Sequence, residues 1–412
     1  MWIFKLALRN VRRNGRRTAL TAATVIIGVA LFTVASAFLV GVFENIYADS
    51  TALIGHVRVV DPDFLEREQL NPLYEYVPDA QAIADDIEQN VPGSHAYPII
   101  KSGMAVSVDD TIGDVFAITT GSTDAWMRDR GTLEDKLVAG GWPDWDAGEM
   151  LVGQRIAQMA GLEVGSQIVL FGQTQDGAIS PVGGTIAGIV YAGNPMVDKQ
   201  VFMSLATMQY AADIDDGALE VLIYGDDVDN AEALADQISG LASVTDLVVE
   251  PWTQRSPFDS MVGITAAMQA VIGLILVFIT ALAIWNTMTM SVLERTSEIG
   301  VMRAMGLGRA QAVLMFVAEA VVIAVIGGVI GMALGSLLSW PLVHWGYNIG
   351  SDVLDDMDVG EMAMSAQLYA KLTPDMLFKG FFVGLTMAIA GSFIPSLRAA
   401  SIRPVDAMKG GH

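Results

Sequence analysis

The chain alternates between long apolar runs and polar stretches on a scale far larger than one helix turn. The apolar runs cover residues 19–43, 263–293, 312–342 and 377–396. Each is near or above the roughly 20 residues that a helix needs to cross a bilayer core, so four transmembrane helices are expected. A polar block, 44–262, separates the first two runs. The segments 294–309 and 343–376 join the others, and 1–18 and 397–412 flank them. A membrane anchor that carries one large domain on a single side points to work done across the membrane.

Inside the large block the pattern is mixed α and β. Residues 55–60, 95–108, 114–120, 219–224 and 244–249 read as strands, several by simple alternation. Ala80, Ile83, Ala84 and Ile87 follow a Pro78-Asp79 start at helical spacing, which predicts a helix over 79–90; another is expected over 229–238. Residues 148–190 are rich in Gly turns and short strands, and 151–170 read strand, short helix, Gly turn, strand. A strand–helix–strand pattern therefore occurs early and again late. The architecture expected is a split α+β subdomain with a β-rich insert at about 123–212.

Charge sets the expected orientation. Lys5, Arg9, Arg12, Arg13, Arg16 and Arg17 precede the first run with no acid among them. Arg295, Arg303 and Arg309 lie between runs two and three, and Arg398, Arg403 and Lys409 follow run four. With four spans all three basic segments share one face, and Lys/Arg in short loops marks the cytoplasm. Both termini are then cytoplasmic, and the large block and the 343–376 loop are outside. The formal net charge of -23 resides mainly in the outer block, and the pI near 4.3 argues against nucleic-acid binding. Ala35-Ser36-Ala37 is a cleavage-like triplet, but its apolar run exceeds the ~7–15 residues of a signal-peptide core, so an uncleaved anchor is expected. Trp2, Ile3, Leu6 and Leu8 beside Lys5 and Arg9 suit an interfacial amphipathic helix.

No catalytic constellation emerges, so no catalytic residue, metal site or cofactor is expected in the chain itself. Cysteine is absent, which excludes disulfides and thiol chemistry. There is no phosphate-binding G-x-x-x-x-G-K-[ST] and no H-E-x-x-H. His56, His95, His344 and His412 are scattered, and Asp352, Asp355, Asp356 and Asp358 lack the order of a calcium loop. Two features of the third run remain. Gly327, Gly331 and Gly335 form a smooth stripe that another helix backbone can approach, from this chain or another copy. Glu319 is the acid inside a span; a structural bond to a neighbouring helix or snorkelling is favoured over proton relay.

The most specific signal is Leu293-Glu294-Arg295-Thr296-Ser297-Glu298-Ile299-Gly300-Val301-Met302-Arg303-Ala304-Met305-Gly306. Ile299, Met302 and Met305 can share one face of a short helix that Gly306 and Gly308 stop. The segment resembles the (R/K)-x-x-E-I-(G/A)-(I/V)-x-(R/K)-A-(L/M)-G coupling helix of the FtsX/MacB/LolC-LolE superfamily of ABC transporter permeases (type VII). The match falls on Arg295, Glu298-Ile299-Gly300-Val301 and Arg303-Ala304-Met305-Gly306. Leu6–Asn14 is similar to the family's L-A-x-R-N-(L/I)-x-R-N opening. Residues 149–169 are similar to its L-G-L-x-V-G-D signature, with Ser166 where Asp is usual. Residues 399–408 are similar to its C-terminal A-(S/A)-x-I-x-P-(V/I)-x-A-(L/M). Gly55-His56-Val57-Arg58-Val59 resembles the strand that follows the first span in the LolC/LolE branch.

The resemblance implies a permease subunit of the bacterial inner membrane, without enzymatic activity, whose large domain is periplasmic. Its implied partners are a cytoplasmic ABC ATPase dimer, which binds ATP and Mg, and a second permease copy, identical or not. Glu294, Arg295, Glu298, Ile299, Gly300, Met302, Arg303, Met305 and Gly306 would couple to the ATPase, and the glycine stripe would pack helices near the dimer centre. The branch implies lipoprotein release by mechanical transmission, with a periplasmic acceptor left open. A hydrophobic substrate would enter laterally past Phe38, Val42, Phe43, Met261 and Ile264. The alternatives are regulation of an extracytoplasmic cell-wall hydrolase, MacB-like efflux of a peptide or drug with a separate ATPase, and a receptor with no ATPase.

Overall fold

The computed structural model describes residues 15–108, 111–350 and 365–401. The N-terminal amphipathic segment up to residue 14, the Asp352–358 cluster and the end of the C-terminal motif lie outside the described residues. The chain divides into two compact units: Met1–Glu44, Gly263–Tyr347 and Leu368–His412 in one, Asn45–Val262 and Asn348–Gln367 in the other.

Four long apolar helices, Gly15–Ile54, Phe258–Glu294, Arg309–His344 and Pro374–Ser401, build the first unit, except that the first helix from Asn45 on and the second before Gly263 belong to the other unit. All four are long and apolar enough to cross a membrane. The first continues about three turns beyond Phe43 because Ile46, Leu53 and Ile54 keep one face buried although Glu44, Asn45 and Asp49 are polar. Their centre is one apolar cluster of Val25, Val29, Ile284, Met288, Ala320, Ile323, Ala324, Met387 and Ala388, two or three residues from each helix. Leu274, Phe278, Leu337 and Phe382 point outward, as lipid-facing residues do.

The glycine stripe has a partner in this chain. A Cβ built on Gly327 would lie 3.2 Å from Val25 Cβ, one on Gly331 2.8 Å from Val29 Cβ and 2.9 Å from the Ile26 carbonyl, and one on Gly335 2.7 Å from Thr33 Cβ. The stripe's face is therefore filled by the first helix of the same chain. Such backbone approach is how helices associate where apolar burial offers no net gain. Gly331→Leu is expected to force the two helices apart and lower the thermal midpoint of the purified chain by several degrees, against little change for Gly263→Ala, where open space surrounds the backbone. A thermal melt in detergent reads this directly.

The second unit is organised by ten strands: β1 Val57–Val60, β2 His95–Val108, β3 Thr111–Ser122, β4 Leu137–Gly140, β5 Glu149–Gly153, β6 Gln167–Gln173, β7 Ile179–Val190, β8 Gln200–Ser204, β9 Glu220–Tyr224 and β10 Val248–Pro251. Their order is β10-β1-β9-β2-β3-β8-β5-β7-β4, with β6 pairing both β2 and β7. The pairings β2-β3-β8-β5-β7-β6-β2 thus close into a six-stranded barrel. Strand β2 belongs to both parts of the unit. Its first five residues pair β9, and from Ile100 on it pairs β3 and β6. The β-rich part therefore begins at the middle of β2, not at residue 123, because a 14-residue strand is too long for one small sheet. The helix Ala80–Asn90 buries the four residues its spacing singled out. The expected strand at 244–249 resolves into a short turn of helix, Ala242–Val244, followed by β10.

Candidate coupling site and its supports

The segment between the second and third long helices folds as a helix of its own, Thr296–Ala304. It ends where the amides of Met305, Gly306 and Leu307 bond back to the carbonyls of Val301, Arg303 and Met302. Gly306 takes φ 103, a conformation that a Cβ would strain. The third long helix then starts with the Gln311 side chain accepting from the Gly308 amide at 3.0 Å.

This helix has two faces, and they differ from the sequence expectation. Ile299 and Gly300 are buried. Ile299 joins Val292, Met315, Phe316 and Ala399 in an apolar cluster against which Met302 packs. Ile299 and Met302 therefore hold the helix to its own bundle. The outward apolar residues are Val301, 44% exposed, and Met305, 76% exposed, with Glu294, Glu298, Ala304 and Gly306 also exposed. Arg295 stands at the joint as the N-cap residue, its side chain 12% exposed, and donates to Glu319 on the third long helix at 3.4 Å. Of the residues expected to couple, Arg295, Ile299, Gly300, Met302 and Arg303 are thus turned partly or wholly inward.

A second cluster, in the α/β unit, escaped the sequence reading. Arg58 of β1 has its side chain 2% exposed. It donates through Nη1 and Nη2 to Glu68 at 2.5 and 2.9 Å and through Nε to Glu250 of β10 at 2.7 Å. Glu220 of β9 lies 3.6 Å away and also receives Lys101 of β2 at 3.2 Å and Arg255 at 3.3 Å. Burial works to raise the Glu220 carboxyl, but Lys101, Arg255 and Arg58 outweigh it and hold the group down at about 2. Three cations and three carboxylates from four adjacent strands and two connecting segments thus neutralise one another in the interior.

Beside this cluster lies the point where the chain leaves the first long helix. Gly55 has φ 81, and a Cβ there would stand 3.2 Å from Leu222 Cβ. His56 Nδ1 accepts from the Gly225 amide at 3.1 Å; burial and the nearby Arg130 lower its pKa, outweighing Asp227, which keeps that nitrogen available. Tyr224 donates from its hydroxyl to the Ala52 carbonyl at 3.0 Å and accepts from Trp126 Nε1 at 2.9 Å. Tyr47, Trp252 and Phe258 pack ring against ring, with centroids 5.1 to 6.3 Å apart. The last turns of the first helix, the chain after β10 and the first residue of the second helix are thereby fixed to one another. The Gly-His pair is a joint, with the glycine for the turn and the imidazole for an otherwise unmet amide.

The five residues expected to meet a hydrophobic substrate are divided. Met261 is buried and is withdrawn from such a surface. Ile264 is 49% exposed, and Phe38, Val42 and Phe43 are half-buried.

Comparison with known proteins decides what this arrangement belongs to. Residues 18–241 match the family described as MacB-like periplasmic core domain, and residues 270–404 match FtsX-like permease C-terminal. The chain belongs to the FtsX/MacB/LolC-LolE superfamily of ABC transporter permeases. Among relatives of this superfamily, the LolC lipoprotein-releasing system transmembrane protein of Xylella fastidiosa is 27% identical over 67% of this chain and 69% of its own length. The macrolide export ATP-binding/permease protein MacB of Neisseria gonorrhoeae is 29% identical over 37% of this chain and 21% of its own. The periplasmic region of MacB from Actinobacillus actinomycetemcomitans covers 50% of this chain at 12% identity and a TM-score of 0.34. The match to LolC extends over more of this permease than the match to MacB. The superfamily motif residues run from the N-cap Arg295 through the helix Thr296–Ala304 and its C-cap Met305 to Gly306, one residue beyond.

Proposed function

We propose that this permease transmits ATP-driven motion from a separate cytoplasmic ATPase to its α/β unit, and that its substrate is a lipoprotein released from the inner membrane. The observation that carries the reading is the helix Thr296–Ala304, which is bolted to its own bundle by Ile299 and Met302 and leaves Val301 and Met305 exposed. An exposed apolar pair on a short, well-anchored helix suits a socket in a partner protein. The similarity to LolC over two thirds of the chain supports lipoprotein release as the task. On this reading both termini and the 296–304 helix are cytoplasmic and the α/β unit is periplasmic. The similarity to MacB keeps efflux of a peptide or drug as the second reading.

The test uses photo-crosslinkers at Phe38, Val42, Phe43 and Ile264 in the membrane-embedded permease with its co-purifying chains. The expected result is capture of a lipid-anchored protein without ATP, with the yield falling once ATP is hydrolysed because hydrolysis shifts the permease to a state that no longer holds the substrate. Capture of a small peptide or drug instead supports efflux. Capture of lipid alone in every nucleotide state overturns both.

A further inference from the structure

Glu319 is the buried acid of the third long helix, 5% exposed, and it faces the joint at which the second long helix gives way to the helix Thr296–Ala304. The residue at that joint is Arg295, whose guanidinium lies 3.4 Å from the Glu319 carboxylate. Thr18, Thr21, Thr287 and Ser291 line the same small pocket, so hydroxyls of the first and second helices surround the pair. One turn away on the third helix, Met315 and Phe316 receive Ile299, with Met302 packed alongside. The short helix is therefore held at two places on one strut: by charge at its N-cap and by apolar packing along its body.

We infer that Glu319 is a positioning residue for the coupling helix. It draws Arg295 inward and so fixes the angle at which the helix leaves the second long helix. The inference rests on the coupling role proposed above for its function, but its geometry does not. Without the pair the helix keeps its apolar packing on Met315 and Phe316 but loses its hold at the N-cap, so a push on Val301 and Met305 is partly taken up by bending at Arg295 instead of moving the third helix. Charge here has a positional use that a neutral hydrogen-bonding group of the same shape does not supply, because Arg295 stays cationic whatever faces it. This also gives the first Arg of the superfamily motif an inward task in this chain, separate from contact with another protein.

The experiment is hydrogen exchange by mass spectrometry on the full chain in detergent, in Glu319→Gln, Glu319→Asp and the exchanged pair Arg295→Glu/Glu319→Arg. Glu319→Gln is expected to speed amide exchange across 296–304 by ~10-fold or more, as a lowered opening free energy requires. The exchanged pair is expected to restore much of the protection, and Glu319→Asp part of it. Amides of the third helix near 331 should not change. With co-purified ATPase, Glu319→Gln should leave KM for ATP and co-purification unchanged and weaken the dependence of kcat on bound substrate. Unchanged protection over 296–304 in Glu319→Gln overturns the inference, as does loss of protection along the whole third helix, which would mark a merely structural role. Failure of the wild-type chain to bring down any ATPase defeats the proposed function, and the exchange comparison still decides the role of Glu319.

Discussion

Arg58→Met is expected to destabilise the α/β unit by about 3–5 kcal/mol, the cost of leaving buried charges without their partner. The side chain that remains cannot answer the carboxylates of Glu68 and Glu250, which Arg58 meets at 2.5 to 2.9 Å. Urea unfolding of the full chain in detergent, followed by fluorescence, reads the loss, since Trp126, Trp142, Trp145 and Trp252 all belong to this unit. Arg58→Lys should lose less, because it keeps the charge and gives up the fork. The same network makes a pH prediction. Glu220 is held at about 2, below its ordinary 4.5, and Glu68 is also lowered, with burial opposed by the Arg58 bond. A carboxylate whose pKa is depressed on folding contributes stability that is complete above its unfolded pKa and is lost as pH falls through the folded one. The α/β unit should therefore weaken steadily from about pH 4.5 down to about 2, and Glu220→Gln should flatten that slope while lowering the plateau above it. A wild-type curve flat across this window would contradict the assignment.

The second large effect concerns the exposed face of the short helix. Val301→Asp and Met305→Asp should each abolish co-purification of the ATPase while insertion and thermal stability of the permease stay as they are. A carboxylate forced into an apolar socket costs several kcal/mol, and each 1.4 kcal/mol is tenfold, so affinity should fall ~100-fold or more. Met302→Asp should behave differently. Met302 packs against Val292, Ile299, Met315, Phe316 and Ala399, so a charge there damages the chain's own bundle first. Pulldown from mild detergent beside a thermal melt separates the two outcomes. Normal ATPase recovery from both outward variants would show that docking lies elsewhere.

Much of this fold was legible because its signals are local. The apolar runs announce the four long helices, and Ala80, Ile83, Ala84 and Ile87 share a helix face whatever else is nearby. Strand β2 was readable from alternation over its full length. What could not be read depends on distant partners. Arg58 and Glu250 are 192 positions apart, and nothing near either foretells a buried ion pair. Its one trace is a basic residue at an interior position of an otherwise apolar strand. The inner and outer faces of the 296–304 helix were misjudged for a related reason. Helical spacing says that Ile299 and Met302 share a side, but only the approach of the third and fourth long helices decides that this side is covered. The turns of the first helix past Phe43 were missed because their polar residues resemble the start of a separate domain.

Strand β2 carries a consequence for modularity. Its first residues are hydrogen-bonded into one sheet and its later ones into the barrel, with no linker between. Neither part owns the strand, so the barrel is not a cassette with hinges at its borders. A chimera that exchanges it between relatives cannot be spliced at residue 123, where the sequence alone would start the β-rich stretch. It must be cut within β2 near Ile100 and rejoined before β9, and the graft must keep the register of both halves. Length changes in this part of the permease are therefore expected to be tolerated best in the loops between barrel strands, and exchange of the whole module to disturb both sheets at once.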